Sequence, residues 1–444
     1  MLTSRSFVLA AACAFAPLTW VACSSDPSAQ PTTGADAAAD GPSAATDAAV
    51  EAASSPDGGA DGAASLAPDL GCTAPGCLRV ATKIGDYAKS VLVPLVDPRV
   101  QLDNGYTVWT IEYVTAGTTS LATVTVPFDG APPAGGYHVV ANNHGTTGLD
   151  DPCRYTGKVY GAGMAGLFGA RGMIGVASDY PGIGTQGLHP YLVSDVEGKA
   201  ALDALRAVRQ LARWKGIALS ERYAMAGLSQ GGHVSLAAAA LHKAYAPELD
   251  VRAFAAAAPA SGFEEQWRSG FSVDGSHIPF HAMMVYAWTE HYGYAGPSPW
   301  LAGAAAQVKD AMTKRCIADI DGSGAIGDAI GTQRDAIFTP EFIAAYSSGT
   351  WGAYADFAKW FANNRIKPFT QTAPVKIWQG DADTLVLESA TAELVAALQA
   401  GGNTIEYEVV PGATHLDLAF GFVAAYEQRT AASIAWLRGK LDAP

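Results

Sequence analysis

The sequence predicts an α/β fold, a mostly parallel sheet flanked by helices, with an inserted and mainly helical cap at about residues 262–368. Three observations predict it. Short apolar runs of strand length recur along the chain, helical patterns separate most of them, and one long interval breaks the rhythm. Strands that are apolar on both sides have to be covered on both faces, and the intervening helices supply that cover.

Taken in order, residues 100–126 hold extended runs around Asp103-Asn104-Gly105. Asn-Gly between such runs signals a hairpin, here among antiparallel strands at a sheet edge. Strand-like runs follow at 137–141, 173–177, 223–226, 251–256, 375–378 and 404–410. Helical patterns fall at 196–211, 393–400 and 424–441. In the first, Ala201, Leu205, Val208 and Ala212 form a stripe at spacings of four, three and four. Between Phe263 and Trp300 the inserted interval is dense in large side chains, among them Trp267, Phe271, Phe280, Tyr286 and Trp288. Most of these are expected to form the core of the cap.

The 444 residues allow a large core, and 49% hydrophobic content is that of a globular chain. The net charge of −14 is unevenly placed: residues 24–70 carry eight acidic residues and no Lys or Arg. Without those eight and Arg5 the remainder stands near −7. There is no run of Lys and Arg, so nucleic acid is excluded as a partner.

Arg5 precedes an apolar stretch, residues 7–22, too short and too poorly flanked for a stable membrane span. Residues 1–23 therefore read as an export signal. The stretch ends Ala22-Cys23-Ser24-Ser25, which resembles a bacterial lipoprotein cleavage site, with Cys23 then lipidated and able to anchor the chain to a membrane. The alternative is ordinary cleavage and release. Residues 24–71 are mostly Ala, Asp, Ser, Gly and Pro, too poor in apolar surface to offset ordering, and are expected to be a disordered tether. Residues 72–444 form the folded domain.

Four cysteines follow Cys23, an even number in an exported chain, which reads as two disulfides. The short, turn-rich Cys72–Cys77 interval suits a local bridge and leaves Cys153 to pair with Cys316. No His/Cys cluster accompanies them, so neither a metal nor a cofactor is expected. Residues 319–326 look like the first half of an EF-hand calcium loop, with Gly324 at its turn. Ile330 stands where the bidentate Glu belongs, which makes a solvated loop the better reading.

Gly227-Leu228-Ser229-Gln230-Gly231 is a Gly-x-Ser-x-Gly sequence set between a strand-like run and a helix-forming one. That turn lifts a serine hydroxyl above the edge of a sheet. A serine needs a base, and the base needs an orienting acid, in the chain order Ser, acid, His on such sheets. His415 is the histidine beyond the last strand-like run. Asp383 follows the preceding run, with Asp381 as the fallback and Glu264 or Glu265 more remote. His233 and His242 fall on the helix behind Ser229, and His277, His281 and His291 fall in the inserted interval. Developing negative charge requires two aimed N–H donors. One is expected from the backbone of Gln230, the other from Thr146 in the loop Asn143-His144-Gly145-Thr146-Thr147-Gly148.

Three stretches carry a family resemblance: His144-Gly145-Thr146-Thr147-Gly148, then Asp179-Tyr180-Pro181-Gly182 with His189-Pro190-Tyr191, then the Ser229 turn. Together, and followed by Asp383 and His415, they resemble the secretory lipases over roughly residues 100–440. The resemblance implies an α/β-hydrolase fold with a helical cap, hydrolysis of acyl esters or lipids, and a disulfide from the segment after the Thr146 loop to the cap. It places the 179–191 loop at the rim of the site, in a structural or substrate-binding role. From the density of large side chains in the inserted interval, some of its aromatics are expected to line an acyl pocket. Two rivals remain at this level: a serine peptidase on the same fold, and a tethered binding protein without activity.

Overall fold

The computed structural model describes residues 67–95, 100–261, 264–319, 322–371, 373–419 and 427–444. The expected export signal, Cys23 and all but the last few residues of the expected tether lie outside that range. So does Phe263.

Among the described residues, β1 (Leu78–Tyr87), β2 (Tyr106–Thr115), β3 (Thr118–Pro127), β4 (Tyr137–Asn143), β5 (Ile174–Ser178), β6 (Leu219–Leu228), β7 (Asp250–Ala257), β8 (Val375–Gly380) and β9 (Ile405–Val410) make one sheet. Its order is β1-β2-β3-β5-β4-β6-β7-β8-β9. Pairing is antiparallel from β1 through β3 to β5 and parallel from β5 onward. The predicted α/β class is the observed one.

The principal helices are α1 (Val159–Gly169), α2 (Ser194–Lys215), α3 (Gln230–Tyr245), α4 (Glu265–Phe271), α5 (Ile278–His291), α6 (Ala305–Lys314), α7 (Pro340–Ser348), α8 (Ala355–Asn364), α9 (Glu388–Ala400) and α10 (Glu427–Asp442). Alternation along the central strands divides the core between two faces. Tyr223, Met225, Phe254 and Ala256 pack with apolar residues of α2, α3 and α9. Ala224, Ala226, Ala253, Ala255 and Ala257 join Leu167 and Phe168 of α1 and Leu437 of α10. Both faces are covered, and so both kinds of position are apolar.

Helices α4 to α8 all lie in the interval between β7 and β8, and their buried side chains continue the second of these cores. Aromatic packing joins them: Phe271 stacks on Tyr346 with ring centroids 4.2 Å apart, and Trp288 meets Phe361 edge-on at 5.0 Å.

One turn differs from expectation. The β2–β3 hairpin closes at Ala116-Gly117, both at positive φ (47° and 80°), rather than at Asp103-Asn104-Gly105. The latter segment is held elsewhere: Asp103 and Asn104 donate their N–H groups to the Ala170 carbonyl, and Gly105 donates to Asp129. Strand β1 and helix α1 were not anticipated.

Cys72–Cys77 and Cys153–Cys316 are disulfides, as expected. The second ties the segment after the Thr146 loop to the end of α6.

Candidate active site

Ser229 sits between β6 and α3 at φ 59°, ψ −117°, a conformation that side-chain-bearing residues rarely adopt. The surrounding backbone holds it there. Its N–H donates to Ala257 O at 2.9 Å, and its own carbonyl accepts from His233 N–H at 2.9 Å and Ala260 N–H at 3.1 Å. The flanking glycines are needed for space. A Cβ on Gly231 would lie 1.9 Å from Asn143 O, and one on Gly227 would lie 2.2 Å from Gly231 O. The turn therefore closes against β4 only because both side chains are missing.

Asp383 and His415 come from the loops after the neighbouring parallel strands β8 and β9. His415 Nδ1 is 2.7 Å from Asp383 Oδ2. The other carboxylate oxygen accepts the N–H groups of Leu385 and Val386, each at 2.8 Å. Gln379 Nε2 donates to Oδ2 at 3.2 Å. Burial alone would raise the Asp383 carboxyl, but the hydrogen bond and charge of His415 outweigh it and hold the group below the ordinary aspartate range. Asp383 thus stays ionised and fixes a proton on His415 Nδ1, leaving Nε2 free to act as base. Asp381 does something else: its Oδ1 accepts from Gly412 N–H at 2.6 Å and ties the two loops together. Glu264 accepts from Trp351 Nε1. Among the described residues, no hydrogen bond joins the Ser229 hydroxyl to His415.

The Thr146 loop passes close to Ser229. A Cβ placed on Gly145 would be 3.8 Å from Ser229 Cβ. Thr146 Oγ1 is 2.8 Å from the Tyr191 hydroxyl, and Tyr180 donates to His144 O at 3.0 Å. Gln230 is the first residue of α3, where the N–H groups have no partner within the helix and carry its positive pole.

A cavity of about 240 Å³ opens over Ser229. Its walls include Trp267, Phe280 and His281 of the insertion, Leu385 and Val386 beyond Asp383, and Tyr191. Two of the inserted aromatics thus border the cavity, whereas Phe271 and Trp288 are buried in the core. The 179–191 loop reaches the site at its Tyr191 end, which borders the cavity. Asp179, Tyr180 and His189 are buried, Tyr180 is tied to the Thr146 loop through His144 O, and Tyr191 lines the cavity.

The remaining histidines have other partners. His233 bridges the hydroxyls of Ser194 and Ser261 at 3.0 Å each, and burial pushes it down to about 4. His242 Nε2 meets Leu249 O at 2.7 Å. Near the expected calcium-loop sequence, Asp319 accepts from Gly322 N–H, Asp328 accepts from Ala325 N–H, and Ile326–Ile330 is a short helix.

Sequence reasoning gave no individual role to three buried side chains around the elbow: Glu197, the side chain of Gln230, and His189, which it named only within the 179–191 motif. One signal was available. Glu197 falls four residues before Ala201, and so on the apolar stripe of α2.

Comparison with known proteins agrees with this geometry. The sequence matches the secretory lipase family over residues 165–443. No curated protein matches it. Among solved structures, a ligand-bound form of the rice cell wall degrading esterase LipA from Xanthomonas oryzae superposes with a TM-score of 0.68 at 20% identity, covering 83% of this chain and 100% of that one. Candida antarctica lipase A in its closed state superposes at 0.57 with 18% identity, covering 85% and 86%. At such identities the superpositions show the shared α/β-hydrolase fold, and the family match adds the chemistry: this chain belongs to the secretory lipase family and is a carboxylic ester hydrolase.

Proposed function

We propose that the chain is an exported serine esterase or lipase that cleaves acyl esters through an acyl-enzyme, with Ser229, His415 and Asp383 as its catalytic residues. Ser229 Oγ attacks the ester carbonyl while His415 Nε2 takes its proton. The N–H groups of Gln230 and Thr146 receive the developing oxyanion, the first with the positive pole of α3 behind it. His415 then protonates the departing alcohol, and a water activated by the same imidazole releases the acid. Asp383 holds the tautomer and balances the imidazolium.

The observation that carries this reading is the 2.7 Å Asp383–His415 hydrogen bond beside a cavity that has Ser229 in its wall. The Ser–His contact is commonly long in free enzymes and tightens when substrate binds. The cavity, bordered by Trp267, Phe280 and Leu385, supplies an apolar site for the acyl chain. On this reading the insertion is the cap. The apolar leader at residues 7–22 and the family's secretory character support export, with Cys23 as a lipid anchor on a membrane.

The test is hydrolysis of p-nitrophenyl esters of graded chain length by the wild type and Ser229→Ala. Loss of the nucleophile should lower kcat by roughly 10³-fold or more. Turnover that survives in Ser229→Ala rejects the assignment, and a preference for peptide over ester substrates would move the chain to the peptidases.

A further inference from the structure

Behind the elbow lies a cluster of polar side chains that the proposed chemistry does not use. Glu197, in the first turn of α2, has no exposed surface. Its Oε1 accepts the Leu192 N–H at 2.9 Å and Gln230 Nε2 at 2.7 Å. Gln230 Nε2 also lies 2.8 Å from His189 Nε2, and His189 Nδ1 lies 3.1 Å from Pro181 O. His189 donates from Nδ1 to Pro181 O, and its Nε2 faces both Gln230 Nε2 and, at 3.2 Å, Glu197 Oε1. Glu197 Oε2 has no hydrogen-bond partner.

A carboxylate buried with one oxygen unpartnered is costly, and packing does not explain it, because an aliphatic side chain would fill the same volume at lower cost. What an aliphatic group could not do is hold two separate segments by directed bonds. One is Gln230, whose backbone N–H faces the developing charge. The other is Leu192, at φ 58° in a strained turn. Its neighbour Tyr191 meets Thr146 Oγ1 through the hydroxyl, and Trp288 Nε1 anchors the Tyr191 carbonyl at 3.0 Å. Both arms of the oxyanion site lead back to one oxygen atom.

We propose that Glu197 is a positioning residue for ester hydrolysis: by holding Gln230 directly, and Thr146 through the Leu192–Tyr191 turn, it sets the spacing of the two oxyanion donors. The proposal rests on the serine esterase reading. It adds that the two donors are mechanically coupled, so a change at Glu197 should be felt in the transition state more than in the bound ester.

The experiment measures kcat and KM on p-nitrophenyl butyrate, affinity for butaneboronic acid as a tetrahedral analogue, and Tm. The variants are Glu197→Ala, Glu197→Gln, Tyr191→Phe and the Glu197→Ala/Tyr191→Phe double. Glu197→Ala is expected to lower kcat by about 10–100-fold, less than outright removal of an oxyanion donor, with KM changed less than about threefold. Boronate affinity should fall in parallel with kcat. Glu197→Gln keeps an acceptor toward Leu192 and Gln230 and should recover kcat to within about fivefold of wild type. Tyr191→Phe should cost about 3–10-fold, and the double variant less than the product of the singles.

A folded Glu197→Ala with wild-type kcat and boronate affinity overturns the proposal, as does a loss confined to Tm. If Glu197→Ala does not fold, Tyr191→Phe decides, and a wild-type kcat there overturns it equally. A wild-type protein that turns over no ester fails the serine esterase reading itself, before any variant is compared.

Discussion

Two Ser–His–Asp constellations flank β6, one at each end. At the end where the chain leaves the strand are Ser229, His415 and Asp383. At the end where it enters, His138 Nδ1 lies 2.8 Å from Ser220 Oγ, and His138 Nε2 lies 2.9 Å from Asp442 Oδ1. Judged by residue types and distances alone, the second is the more complete. Its surroundings say otherwise. The Asp442 side chain is 62% exposed and Asp383 is fully buried, so water and salt compete for one carboxylate and not for the other. The ring is also reversed, with the acid on Nε2 and the serine on Nδ1. Ser220 Oγ accepts the Arg222 N–H at 3.2 Å within the strand, and no helix begins at Ser220. Hydrogen bonds among the three residue types are therefore a weak sign of catalysis. A strained turn at a helix start, a fixed acid and a cavity are what separate the two ends.

Mutation can break this contrast. Asp383→Asn should lower kcat on short esters by roughly 10²–10⁴-fold, because the neutral amide no longer selects the His415 tautomer. Asp442→Asn should leave kcat within about twofold. If the two fall alike, the distinction drawn from burial is wrong. Labelling sharpens it further. A fluorophosphonate probe should modify the wild type and Ser220→Ala equally, at one site per chain, and leave Ser229→Ala untouched. Mass mapping of the adduct to Ser220 would reverse the assignment.

A smaller effect separates Asp383 from Asp179, the carboxylate that follows β5. Asp179 accepts the N–H groups of Tyr155 and Thr156, yet burial outweighs them and pushes it up to about 6. Its folded value lies above the unfolded one of about 3.9, so its contribution is present in full below about pH 4 and is lost as pH rises through 6. Asp383 runs the other way: its value is lowered, so its contribution is present above about pH 4 and fades in more acidic solution. Urea unfolding at pH 4 and 7.5 should show wild type losing about 2–3 kcal/mol relative to Asp179→Asn over that interval. A difference independent of pH would contradict the burial argument.

The three proposed catalytic positions were legible because chain order on this fold constrains them. Ser229 is marked by two glycines that nothing larger could replace, and His415 and Asp383 by their places after the last two strands. Helix α1 was hidden for the opposite reason. Its glycines read as breakers, yet a Cβ on Gly166 would lie 2.6 Å from the Tyr106 hydroxyl, so the helix uses glycine to approach the sheet. The hairpin turn went astray because Asn104-Gly105 carries turn chemistry that tertiary contacts to Ala170 and Asp129 spend elsewhere. Glu197 was passed over because a lone charge in a helix's first turn is usually solvated and favourable there. Its partners, Leu192 and Gln230, are 5 and 33 residues away, and only the fold shows that it faces inward.

The smallest expected effect gives the Ser220 end a role of its own. His138 and Ser220 lie on the adjacent strands β4 and β6, and Asp442 closes α10, so their hydrogen bonds pin the last helix to the sheet. Arg222 adds to the latch by donating to the carbonyls of Leu441 and Ala443 at 2.8 Å each. With its acid exposed, His138→Ala should cost no more than about 1 kcal/mol in urea unfolding and leave ester hydrolysis intact. Arg222→Ala should cost more, because it removes charge-assisted bonds to carbonyls that close the helix. A His138→Ala protein that keeps its stability but loses activity would show that the two ends of β6 are not independent, and the contrast between them would have to be abandoned.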